Sequence, residues 1–386
     1  MSKRFHPSRR QTLALTAGLI AGLAGCGGSG VPETVKIGVG TTLSGPSANR
    51  GTDVLNGVKL AVEQLQGQGY KVDGRDVKFQ IVALDDKGTP EGAKEVAQKL
   101  IDEGVAVVFG HLASDVTLAA VPVYQTKGLP LVTTSSAKEI TTQGGGNVFR
   151  LVASDAAQAR ALATYGNTVA PGARAAILNE DSVYGRGVLD DLAAGAAQLK
   201  INVVLKNKVD PKSKDFADIV AKLKAEKTTL LFAVLREAQL LALGEALRAA
   251  GHTDMTVVLS NPAKTDKVAQ AELPFKSVYV VSSALDVRDF PQGSKFLADF
   301  RKAYNSDPVW AAHYTYDGMF SVADAVRRAK SVKPEDLNKT LKSIDPVTWV
   351  TQTMRFGPDG EQTNAAIGVY QAQRGAWQLK MSSAVW

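Results

Sequence analysis

The sequence predicts an α/β protein of two doubly wound parallel-sheet lobes. From Val35 onward, short apolar runs rich in β-branched residues alternate with amphipathic stretches of ten to eighteen residues, the pattern of parallel strands joined by crossover helices. The series is written twice along the chain. The roughly 360 residues that follow Cys26 suffice for two domains, each with its own core.

The N-terminus reads as targeting rather than fold. Residues 1–25 place Lys3, Arg4, Arg9 and Arg10, without any acid, ahead of a run from Leu13 to Gly25 that is too short and too rich in Gly and Ala to span a bilayer permanently. Ser8-Arg9-Arg10-Gln11-Thr12-Leu13 resembles a twin-arginine export motif, with Thr12 where that motif prefers Phe. Leu23-Ala24-Gly25-Cys26 looks like the lipobox of bacterial lipoproteins, which makes Cys26 the lipidated first residue of the mature chain; the alternative is a conventional small-residue cleavage site. Cys26 is the only cysteine, so an exported chain that could form disulfides has none. Residues 26–33 are expected to hold the lipidated Cys and a flexible tether, whose reach as a coil is on the order of 15 Å.

In the first lobe, strands are expected at Val35–Val39, Val77–Leu84, Val105–Phe109, Leu129–Thr133 and Val148–Val152. Val54, Val58, Val62 and Leu65 form one helical stripe, and Ala93, Val96, Ala97 and Leu100 another, both read as core. The second series places strands at Ala175–Leu178, Ile201–Leu205, Leu230–Val234, Thr256–Leu259 and Val278–Val281. Helices over Gln292–Tyr304 and Ala311–Ala329 precede a strand pair, Ala366–Gln371 and Trp377–Lys380. Such returning ends imply crossings between lobes near Leu151–Ser154, Ser282–Asp286 and Val350–Phe356. Lobe 1 thus takes 34–151 plus 286–350, and lobe 2 takes 152–285 plus 351–386.

Charge and motifs exclude several classes. Without the four basic residues of the signal, 41 Lys and Arg face 38 Asp and Glu, a formal +3, and there are no basic blocks with interleaved aromatics to meet a nucleic acid. Gly38-Val39-Gly40 follows the first strand as a dinucleotide loop would, but Leu43 stands where the third glycine belongs, so a tight strand exit is expected. No Gly-x-Ser-x-Gly elbow or Walker loop occurs, and His6, His111, His252 and His313 are scattered without metal-ligand spacing. Asp85-Asp86 offers acid/base or metal chemistry, or caps the next helix, the reading preferred here. No cofactor is called for.

Binding is better supported, because open parallel sheets take ligands at the carboxyl ends of their strands, where helix N-termini offer free backbone donors. Phe109-Gly110-His111-Leu112-Ala113-Ser114-Asp115 leaves a buried strand and enters a helix, so Ser114 and nearby N–H groups are placed to hold a carboxylate or amide oxygen; a plain Ser or Asp N-cap is the alternative.

From Val35 to the C-terminus the chain resembles the type I periplasmic binding proteins, in the branch of the leucine/isoleucine/valine-binding proteins of ABC transporters. The likeness rests on Leu43-Ser44-Gly45-Pro46, Asp85-Asp86, Gly110-His111 to Ser114, Thr133-Thr134-Ser135-Ser136 and Asp181-Ser182-Val183-Tyr184-Gly185. It implies two lobes joined by a three-strand hinge that closes over a ligand in the cleft. It also implies that Ser114 bonds the ligand carboxylate, that Ser135 and Ser136 line the pocket, and that Tyr184 covers it from the second lobe. Three departures stand out. Ser260-Asn261-Pro262 occupies the stretch where amino-acid binders place an acid for the ligand ammonium, Ala137 stands for a Thr that binds the same group, and Arg50 stands for a pocket aromatic.

A buried ammonium without a counter-charge is costly, so the expected ligand lacks that amine: a small carboxylate or amide, with Arg50, Arg236 and Asn261 as further contacts; a solvated surface position is the alternative for either arginine. The implied protein is not an enzyme. It is an extracytoplasmic, periplasmic solute-binding subunit of an ABC importer, held to the membrane by its N-terminal lipid, whose partners are a small-molecule ligand and the permease subunits. Two alternatives remain open here: an amide- or urea-type sensor on the same fold, and a small-molecule α/β enzyme.

Overall fold

The computed structural model describes residues 30–344, 349–351 and 354–383, so the expected signal segment (1–25) and Cys26 lie outside the described residues. The first lobe opens with β1 (Thr34–Thr41), α1 (Ala48–Gly67), a small hairpin of β2 (Lys71–Val72) and β3 (Arg75–Asp76), β4 (Lys78–Asp85) and α2 (Pro90–Asp102). It continues through β5 (Val107–Gly110), α3 (Ser114–Gln125), β6 (Leu131–Thr133), α4 (Glu139–Thr142) and β7 (Val148–Arg150). The second lobe carries α5 (Asp155–Val169), β8 (Arg174–Glu180), α6 (Val183–Gln198), β9 (Asn202–Val209), α7 (Ala217–Ala225) and β10 (Leu230–Val234). There follow α8 (Glu237–Ala249), β11 (Thr256–Leu259), α9 (Asp266–Gln270) and β12 (Ser277–Ser282). The chain returns to the first lobe for α10 (Gly293–Tyr304), α11 (Ala312–Ala329) and α12 (Pro334–Leu341), then closes the second with the hairpin β13 (Ile367–Gln373) and β14 (Ala376–Ser383).

The first sheet runs β4-β1-β5-β6-β7 and is parallel throughout. The second runs β14-β13-β12-β11-β10-β8-β9, parallel except where β13 pairs antiparallel with β12 and β14. Both sheets are covered on two faces, which is why their strands read as continuous apolar runs. In the first lobe, Val35, Ile37 and Val39 of β1 share a core with Val58 and Val62 of α1 and Met319 and Val322 of α11. On the other face Val108 meets Val96 and Leu100 of α2 and Val116 of α3. Both predicted helical stripes are buried. Every residue of α11 from Ala312 to Val326 is buried, and Gly57 lets α1 approach it closely: a Cβ there would stand 2.1 Å from the Ala312 carbonyl oxygen.

The three chain passages between lobes run side by side. Ala153 N–H donates to the Ser283 oxygen at 3.0 Å, and Gln362 Nε2 donates to the Leu151 oxygen at 2.9 Å. The first runs by Ala153 and the second by Ser283. The third comes later than 350–356, because Val350, Met354 and Phe356 pack in the first lobe's core and Gln362 still lies against Leu151.

Three other expectations are corrected. The tether does not extend to residue 33, since Gly30 pairs with Ser331 and Val31 is buried in the core. The pair Asp85-Asp86 does not cap α2; Thr89 does, accepting from Gly92 N–H at 3.0 Å. Gly38 and Gly40 are not a strand exit, because β1 runs on to Thr41. Their missing side chains make room instead: a Cβ on Gly38 would meet Leu100 at 3.1 Å, and one on Gly40 would meet Val96 at 2.9 Å.

Candidate functional site

The carboxyl ends of strands from both sheets converge on one cavity of about 90 Å³. All seven residues singled out for ligand contact line it: Arg50, Ser114, Ser135, Ser136, Tyr184, Arg236 and Asn261. Each follows a strand of the lobe that supplies it, as the open-sheet rule demands. Arg50 lies in the first turns of α1 after β1, Ser114 opens α3 after β5, and Ser135 and Ser136 follow β6. From the second lobe, Tyr184 opens α6 after β8, Arg236 precedes α8 after β10, and Asn261 follows β11. The lobes touch around the cavity: Val183 packs on the first lobe's core, and Lys138 Nζ lies 3.4 Å from Asp191 Oδ1.

The hydrogen-bond partners separate groups that face the cavity from groups already committed. The Ser135 hydroxyl donates to the His111 carbonyl at 3.0 Å and lies 2.6 Å from Thr117 Oγ1, so it braces the loop. Ser114 Oγ accepts from Ala137 N–H at 3.3 Å, which leaves its own proton free to donate. The Tyr184 hydroxyl donates to Gln158 Oε1 at 2.5 Å, and burial, aided by the nearby Asp155 carboxyl, raises its pKa well above the ordinary phenol value. Asn261 Oδ1 accepts from the Ser282 hydroxyl at 2.9 Å. Arg236 is held by Glu180, with Nε 2.8 Å from Oε2.

Arg50 differs. Its guanidinium stands 5.5 Å above the centre of the Trp310 ring, a cation–π distance, and it has no ion pair among the described residues. Burial, then the neighbouring Arg236, lowers its pKa. Asp53, one turn along α1, favours the Arg50 charge from a distance but makes no ion pair with it; its carboxylate accepts from the N–H groups of Val309, Trp310, Ala311 and Ala312 at 2.7–3.1 Å. Those bonds also fix Trp310 beneath Arg50.

Sequence reading missed the framework behind the site. Trp310 and Asp115 line the cavity, yet no motif marks the first and only a helix-capping role suggested itself for the second. Ala113, not Ser114 or Asp115, is the N-cap of α3. Arg150, wholly buried, donates to the Ser135 oxygen at 2.5 Å and the Ala137 oxygen at 2.9 Å while pairing with Glu361 at 2.9 Å, and so shapes the Ser135–Ala137 turn. A lone arginine in the apolar stretch Val148-Phe149-Arg150-Leu151-Val152 was the available signal, since a charge is buried only with partners.

Asp86 and His111 are the other surprise. His111 Nδ1 lies 2.7 Å from Asp86 Oδ2 and Nε2 lies 3.1 Å from the Tyr124 hydroxyl, all enclosed. Thr42 Oγ1 and Gly88 N–H also donate to Asp86, each at 2.8 Å. The pair has the look of half a catalytic triad, but its ring meets a phenol rather than a nucleophile, and Ser135 touches the His111 backbone instead. The pair thus braces the strand exits that carry the cavity. Among the described residues no group of three or more His, Cys, Asp or Glu is placed to hold a metal, and no helix is long and apolar enough to cross a membrane.

Two lobes with a cavity between strand ends, linked by three adjacent passages, define a solute-binding protein of the type I periplasmic class. The chain belongs to the periplasmic binding protein family, whose model matches residues 34–376. It is 26% identical over 384 residues to the leucine-specific-binding protein of Salmonella typhimurium, covering 98% of this chain and 99% of that one. It is 28% identical over 345 residues to the Leu/Ile/Val-binding protein of Escherichia coli K12, covering 85% and 91%. In fold it is similar to the leucine binding protein LivK of Thermotoga maritima, with a TM-score of 0.79 at 19% identity, covering 90% of this chain and 98% of that one. It is similar too to a Rhodopseudomonas palustris solute binding protein in complex with 3,4-dihydroxybenzoic acid, with a TM-score of 0.78 at 19% identity, covering 92% and 99%.

Proposed function

We propose that this chain is the extracytoplasmic subunit of an ABC importer and that its lobes close over a small carboxylate or amide lacking an α-ammonium. The observation that carries this is Arg50, a desolvated guanidinium that lines the cavity without an ion pair among the described residues. A partly buried cation of this kind is stabilised by a charge-assisted bond to an anion. The stretch after β11 points the same way, with Asn261 in the cavity wall and no acid from Ser260 to Pro262. Relatives named for leucine and neighbours holding isoleucine, benzoate or 4-hydroxybenzoate show that both ligand types occur on this frame. Signal cleavage before Cys26 and its lipidation complete the reading.

A thermal-shift screen of the chain from Gly27 onward tests it, with branched-chain amino acids, aliphatic and aromatic carboxylates, amides and urea as probes. Ligand at a hundredfold its dissociation constant stabilises the folded state by about 2.7 kcal/mol. Shifts confined to amine-free acids or amides are expected. A shift with leucine or valine alone would make an amino acid the cargo and assign its ammonium to an acid outside the 260–262 stretch.

A further inference from the structure

We propose that Arg50 and the indole N–H of Trp310 form the carboxylate dock of this cavity, while Asp115, beside the Ser114 turn, receives a neutral hydrogen-bond donor at the ligand's other end. The solute is then a carboxylate bearing a hydroxyl or primary amide, held in the opposite sense to the one the family resemblance implies. This rests on the solute-binding reading above.

Three observations place the carboxylate at Arg50. First, the cations of the cavity wall are not equivalent: Arg236 already has Glu180 at 2.8 Å, whereas Arg50 has no ion pair among the described residues and its helical neighbour Asp53 is occupied by backbone N–H groups. Second, Trp310 Nε1 is buried without an acceptor, although buried indole N–H groups normally have one. Third, Arg50 lies over that same ring, which lines the cavity, so the guanidinium and the unused N–H belong to two residues stacked at one edge of the site. Burial and Arg236 lower the Arg50 pKa more than Asp53, Tyr184 and Glu237 raise it.

The opposite wall argues against an anion. Asp115 is the second residue of α3 and lines the cavity beside Ser114, with no hydrogen bond or ion pair among the described residues. A carboxylate in the first turn already satisfies the positive end of the helix dipole, and a second one there meets like-charge repulsion. The Ser135 hydroxyl adds no donor, since it is spent on the His111 carbonyl. Ser114 keeps a free proton, but beside the unpaired Asp115 carboxylate the wall favours a ligand group that can donate to it, as a hydroxyl or an amide does.

Calorimetric titration of the chain from Gly27 onward decides the matter. The probes are 4-hydroxybenzoate, 4-hydroxybenzamide and terephthalate, with 4-hydroxybutyrate, 4-hydroxybutyramide and succinate as aliphatic counterparts and leucine and valine as amino acids. The parent is expected to favour the hydroxy acid over its amide by roughly tenfold or more, the size of a charge-assisted bond. Arg50→Gln should bring the two within about threefold, and Trp310→Phe, which keeps the ring and removes the N–H, should narrow the gap in part. Asp115→Asn should improve the diacid relative to the hydroxy acid by about tenfold. Melting curves establish that each variant is folded. If Ser114→Ala erases the acid-over-amide preference while Arg50→Gln keeps it, the carboxylate sits on α3 and the proposal is overturned. If only amino acids bind the parent, the polarity proposal falls and solute binding stands; if acids, amides and amino acids all fail, the solute-binding reading itself falls.

Discussion

At Asp155 a carboxyl group sits fully enclosed just past the first passage between lobes, and neither oxygen has a well-formed hydrogen bond. Burial drives its pKa up to about 7, with Glu139 and Asp191 pushing the same way and the Ser136 hydroxyl and Arg150 opposing. The sign follows from linkage. The folded state keeps the proton that the unfolded chain releases near pH 4, so this group lowers stability progressively as pH rises from about 4 to about 7, and no further above that. Asp155→Asn removes the slope. The stability of the variant relative to the parent is therefore expected to rise across that window by at most about 4 kcal/mol, followed by urea unfolding at pH 4, 5.5 and 7.5. A gap between the two that stays constant with pH would mean Asp155 is ionised throughout.

Among the elements, the α1–α11 contact does most to place the binding groups, because α1 carries Arg50 and the segment leading into α11 carries Trp310. The contact depends on Gly57. A methyl group there would meet the Ala312 oxygen at 2.1 Å and Thr315 Oγ1 at 2.3 Å, both in a fully buried stretch. Overpacking of this kind costs about 1–3 kcal/mol. Gly57→Ala should lower the denaturation midpoint accordingly and weaken ligand binding by shifting Arg50 from Trp310. A Gly57→Ala variant with unchanged midpoint would show that the helices separate without cost.

For the whole molecule, the geometry of attachment matters. The described fold begins at Gly30, whose pairing with Ser331 fixes the entry of the chain into the first lobe. Cys26 stands four residues earlier, so a lipid there could lie no more than about 14 Å from that point. β1 runs away from this end, and the cavity lies beyond its other end, so the anchor proposed at Cys26 would enter at the end of the first sheet opposite the cavity. Cys26→Ser is accordingly expected to move the protein from the membrane to the soluble fraction while its ligand-induced melting shift stays the same. Retention of the variant in membranes would remove the lipid from the account.

The sequence alone determined the alternation of strand and helix, the doubled series and the strand ends that carry the cavity. Leu230–Val234 and Thr256–Leu259 are strands to the residue, because strands buried on both faces must be apolar along their whole length and announce themselves locally. Ser114 was legible for a related reason, since in a parallel sheet the residues just past a strand are the ones that face a ligand, whereas Arg50 and Tyr184 were reached only through the family resemblance. What only the tertiary structure decided is which polar groups are already satisfied. Asp86 with His111, Arg150 with Glu361 at 211 residues' separation, and Asp53 with the residues before α11 are pairings between distant segments. No local pattern encodes them. They decide that Ser135 and Arg236 are committed while Arg50, Trp310 and Asp115 are not, because a buried polar group's role is set by the partners that folding brings to it.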